Sequence, residues 1–161
     1  MLIGGGPVNA AVLPTSYSTL LCAAMSNLSA FFVASKSDAK SYMNQDFGAI
    51  KCDSIVEASG ITDLEVSTLY ALVKREEFDF DKHEFDPSDE SDGSSLYRLP
   101  SRFVKALVGL QESEIDSICE YWANTEEMAC EAEPLVPLVQ SLRRIAALVE
   151  KGRDLYFCCS L

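Results

Sequence analysis

Histidine and tryptophan each occur once in this chain, as His83 and Trp122, and no two of its 6 cysteines have the Cys-x-x-Cys spacing. Those scarcities remove most of the usual catalytic and metal-binding arrangements. A zinc site would have to draw on scattered cysteines, and a serine or cysteine triad would rest on His83 alone. His83 stands between Asp81, Lys82 and Glu84, which reads as a solvent-facing loop. No catalytic residue, cofactor or metal ion is therefore expected. Basic residues are also few: 13 Lys and Arg against 25 Asp and Glu give a net charge of −12. A surface of that sign repels phosphate. Nucleic acid and anionic membrane are disfavoured, and a basic protein is the favoured partner.

Charge is missing altogether from residues 1–35, and the first charged side chain is Lys36. A secretory signal needs a basic start, which Met1 to Asn9 lacks. Leu21 precedes Cys22 where a lipoprotein signal wants a small residue. The apolar run from Tyr17 to Ala34 is broken by Ser18, Thr19, Ser26, Asn27 and Ser29, which argues against a membrane span. Residues 1–24 read as an uncharged, weakly ordered extension, with Met25 as an alternative start. Residues 25–161 read as one domain, long enough for a real core. The cysteines fall largely at apolar positions, as buried free thiols do in a reducing, cytoplasmic setting. Cys158 and Cys159 are strand neighbours that point to opposite faces, a poor geometry for a redox pair.

What the chain does have is periodic apolar structure, most clearly at its C-terminal end. Leu135, Leu138, Val139, Leu142, Ile145, Ala146 and Val149 recur at helical steps, predicting a helix over Leu135 to Glu150. Gly152 suits the left-handed residue after such a helix. Leu155 to Leu161 carries no charge on either alternating face, which predicts a strand covered on both sides. Leu28 to Ala34 and Leu96 to Leu99 are further strands, and Phe47 to Ile50 can extend locally. Thr62 opens a helix through a Thr-x-x-Glu capping box. Ser101 caps another helix, and a further one runs from about Glu112 through Ile115, Ile118, Cys119 and Trp122. That helix carries Glu112, Glu114, Asp116 and Glu120 without a cation, the wrong charge for a DNA groove. The fold class is α+β: a small mixed or antiparallel sheet with helices packed mainly on one face.

Residues 76–95 form an acidic loop, with Glu76, Glu77, Asp79, Asp81, Glu84, Asp86, Asp89, Glu90 and Asp92 against a single Lys82. Calcium would want such carboxylates, yet Leu99 stands where an EF-hand here needs its closing acid. A solvated loop is the simpler reading. The most distinctive string is Trp122-Ala123-Asn124-Thr125-Glu126-Glu127. Its candidate binding residues are Trp122 beside a pocket and Thr125, Glu126 and Glu127 at the rim. The plainer account has Trp122 in the core and the two carboxylates in water.

Leu96-Tyr97-Arg98-Leu99-Pro100, the helix pair, the W-x-x-T-E-E string and the closing helix–Gly–strand together resemble a family of small bacterial proteins. That family has no established activity, so the resemblance implies a bacterial, cytosolic setting and transfers no catalytic residue. The function expected from the whole is a non-catalytic protein-binding module, in its specific form an immunity or antidote protein for a basic partner. The alternative is a small hydrolase or ligand-binding protein with a pocket near Trp122.

Overall fold

The structure is a computed structural model and describes residues 28–44 and 54–160. The expected extension over 1–24 and the segment near Phe47 lie outside the described residues. Strands β1 (Leu28–Ala34), β2 (Ile55–Ser59), β3 (Asp89–Ser91), β4 (Ser94–Arg98) and β5 (Asp154–Ser160) build one sheet in the order β2-β1-β5-β4-β3. Every neighbouring pair is antiparallel. Between the strands run α1 (Lys36–Met43), α2 (Asp63–Lys74), the single turn α3 (Phe80–His83), α4 (Ser101–Gly109), α5 (Glu112–Ala123) and α6 (Leu135–Ala146).

The final strand, β5, is the middle of the sheet. Alternation along a strand sends Leu155, Phe157 and Cys159 to one face and Tyr156 and Cys158 to the other. Pairing registers extend the first set into the row Val56, Phe31, Phe157, Tyr97. The Phe157 ring lies 4.7 Å from Phe31 and 6.0 Å from Tyr97, centroid to centroid. On this face α2, α4, α5 and α6 lay their apolar sides, including Leu69, Phe103, Ile115, Trp122, Leu135 and Leu142. The opposite face is lined by Ala30, Phe32, Leu96, Tyr156 and Cys158 and meets α1 through Ala39, Met43 and Tyr42. The helices are thus segregated to one face, with α1 alone among the described helices behind the sheet.

Local chemistry ends and starts these elements. Thr62 caps α2 as its capping box predicts, with the Thr62 N–H donating to Glu65 Oε2 at 2.7 Å. Arg75 ends α2 in the left-handed region at φ 58°. Ser35 caps α1 by accepting the Asp38 N–H at 3.2 Å. One cap differs from expectation: Pro100 precedes α4 with Ser101 already inside it. Helix α6 stops at Ala146, short of Glu150. Gly152 (φ 84°) then sits third in a tight turn closed by the Arg153 N–H on the Glu150 carbonyl at 3.0 Å, where a positive φ is required.

The acidic stretch is the largest departure. Its second half is a β-hairpin: Ser91 pairs with Ser94 around Asp92 (φ 43°) and Gly93 (φ 81°). Positive φ at both central residues is the type I′ turn, whose twist matches that of the strands it joins. Its carboxylates line the sheet's edge strand, where charge discourages further pairing.

Phe157 has no exposed surface and joins both halves of the sheet. Phe157→Ala should lower stability by roughly 3–5 kcal/mol. In urea this is expected as a shifted midpoint with an unchanged m-value; a shift worth under about 1 kcal/mol would contradict the central placement of β5.

Candidate functional site

Helix α5 is clamped along its length. At one end the Arg75 guanidinium pairs with Glu114, and at the other the Trp122 indole N–H donates to the Glu65 carbonyl at 2.9 Å. Residues 65 and 75 lie at opposite ends of α2, so α5 runs antiparallel to it. Gln140 and Arg143 of α6 hold the Glu112 carboxylate at 2.7 and 2.6 Å. Ile115, Cys119, Trp122 and Ala123 point inward and are buried. These contacts fix which face of α5 meets water.

The expected site residues separate accordingly. Trp122 is 0% exposed, and an indole with no surface offers no wall to a ligand. Thr125 braces the end of α5: its Oγ1 donates to the Trp122 carbonyl at 2.8 Å and accepts the Met128 N–H at 3.4 Å. Glu126 and Glu127 are exposed and make no ion pair among the described residues. The string therefore places Trp122 and Thr125 in structural roles and both carboxylates in solvent. Two residues further on, Ala129 holds a left-handed backbone at φ 38° while its N–H reaches the Thr125 carbonyl at 3.0 Å.

The outward side of this region has one sign. From residue 106 to 142 the chain contains no Lys, Arg or His. Asp116, Glu120, Glu126, Glu127, Glu131 and Glu133 are all exposed, and none joins an ion pair among the described residues. Tyr121 stands among them with 69% of its surface exposed. Glu112, Asp116 and Glu120 follow one another at i, i+4 spacing, where like charges cost about 0.2–0.5 kcal/mol per pair. Arg143 offsets that cost for Glu112, whereas no cation among the described residues does so for Asp116 and Glu120. The anionic helix was legible in the sequence; the exposed tyrosine on it was not singled out, because its neighbour Trp122 carries the stronger pattern signal.

His83 is a correction. It is 1% exposed, not solvent-facing. Its Nδ1 lies 3.1 Å from the Asp79 N–H and 3.0 Å from the Asp79 carbonyl, and its Nε2 lies 3.2 Å from the Glu76 carboxylate. Tyr70 meets the ring edge-on at 5.2 Å and Phe78 stacks on it at 5.9 Å. One turn of helix with Asp79 as its cap swings the side chain under the segment, a reversal that flanking charges conceal. With both ring nitrogens engaged locally, His83 is a structural residue of this turn.

The thiols of the core are held neutral. Burial raises Cys119 to about 12 and Cys158 and Cys159 to about 11, against an ordinary value of 9.0. Asp116 adds to the first, and Asp63 to the last. A thiol so placed is a poor nucleophile at neutral pH. Among the described residues no cluster of His, Cys, Asp and Glu has the geometry to hold a metal ion.

Three outcomes follow from this geometry. The single tryptophan should emit at short wavelength and resist quenching by neutral acrylamide; ready quenching would reopen a pocket at Trp122. Groups held neutral by the fold stabilise it fully below their unfolded pKa and lose that contribution as pH climbs to the folded value. Cys119, Cys158 and Cys159 set that window from about 9 to about 11 or 12, so the melting temperature should fall across it and Ellman's reagent should leave all three unmodified at pH 7.5. Relief of the left-handed alanine should make Ala129→Gly neutral to about 1 kcal/mol stabilising, with Ala129→Val destabilising in the same melting assay.

In comparisons with protein-family models, with curated proteins and with solved structures, this chain has no match.

Proposed function

We propose that this protein is a non-catalytic binding module for a basic protein partner, received on the outer side of α5 and the loop that leads to α6. The reading rests on one observation: six exposed carboxylates with no internal ion pair, Asp116, Glu120, Glu126, Glu127, Glu131 and Glu133, gathered along a rigidly clamped helix and its loop. Fields from charges within about 8 Å of one another add at physiological salt, so successive helix turns reinforce each other. Such a surface speeds encounter with a cationic partner and rejects anionic ones. Tyr121 supplies what carboxylates alone lack, an apolar face with a polar tip that can pack against a docked side chain or lie under a cation.

The specific form we propose is an immunity or antidote protein that neutralises a basic toxin in a bacterial cytoplasm. That setting is proposed from the resemblance to small bacterial proteins through the W-x-x-T-E-E string. No helix among the described residues is long and apolar enough to cross a membrane. The pocket reading is not favoured: its indole is buried, and its two carboxylates face water.

The triple variant Glu120→Lys, Glu126→Lys, Glu127→Lys separates binding from folding. The Glu120→Lys change puts a cation one turn after Asp116 and near the negative end of α5, so the melting temperature should hold or rise. Affinity capture of wild type and variant in parallel should recover a basic protein only with wild type, and calorimetry on that partner should show at least about a tenfold loss, or 1.4 kcal/mol. Equal capture by both proteins would overturn the assignment of this surface.

A further inference from the structure

We draw no further inference here: the strongest candidate outside the α5 surface, the aromatic and acidic turn around α3 where exposed Phe80 sits beside Phe78 and buried His83 meets the exposed Glu76 carboxylate, carries nothing because His83 is already closed in by Tyr70 and Phe78 and nothing in the structure shows what covers Phe80.

Discussion

Burial of β5 on both faces is the constraint from which the rest of this fold follows. A strand that carries no charge on either side from Leu155 to Ser160 must be covered twice, and it takes the middle of the sheet with β1 and β4 flanking it. Its position is fixed at several points. The Leu99 N–H donates to the Leu155 carbonyl at 2.9 Å, Arg153 reaches the Val33 carbonyl at 2.9 Å, and the Ser94 and Ser160 hydroxyls share a 2.9 Å hydrogen bond. A register slip by one residue would exchange Phe157 for Tyr156 or Cys158 and misalign the whole aromatic row. The helices then sort by what each face offers. The Phe31–Phe157–Tyr97 face carries α2, α4, α5 and α6, and the Phe32–Tyr156 face carries α1.

That sorting is also what frees the acidic surface. Helix α5 packs between α2 and α6, so its inner side is spent on the core and its outer side answers to no other element. The contrast with the 76–95 stretch is instructive. There Lys74, Lys82 and Lys40 neutralise Glu76, Asp79 and Asp89, and the backbone is tied into a one-turn helix and a hairpin. Its charge is partly consumed in holding local structure and in guarding the sheet's edge. Glu77, Asp81, Glu84, Asp86, Glu90 and Asp92 of that stretch also join no ion pair among the described residues; what sets the α5 surface apart is a clamped helix, an exposed Tyr121 and no Lys, Arg or His from residue 106 to 142.

Long apolar periods were legible in the sequence because they depend on the chain's own geometry. Leu135 to Ala146, Leu155 to Ser160 and the Thr62 capping box were readable in this way. The failures are places where distant contacts or single dihedral angles decide. His83 looked exposed because its neighbours are charged, whereas Asp79 and one helical turn reverse its direction. The hairpin at Asp92-Gly93 was hidden by a run of acids, although Asp-Gly is itself a strong turn signal. The early end of α6 was missed because Val149 continues the apolar step after the backbone has left the helix. For the site, the acids on α5 were visible as a list, but which of them lack a cation required knowing that Arg75 and Arg143 reach Glu114 and Glu112.

The strand order has a consequence for how the molecule is made. Each outer pair, β1 with β2 and β3 with β4, is close in sequence and can assemble while synthesis is under way. Both must then wait, with an apolar inner edge bare, until the residues following α6 leave the ribosome and close the gap. A nascent chain stalled before Asp154 would hold two sticky half-sheets, the kind of species that chaperones shelter and proteases remove.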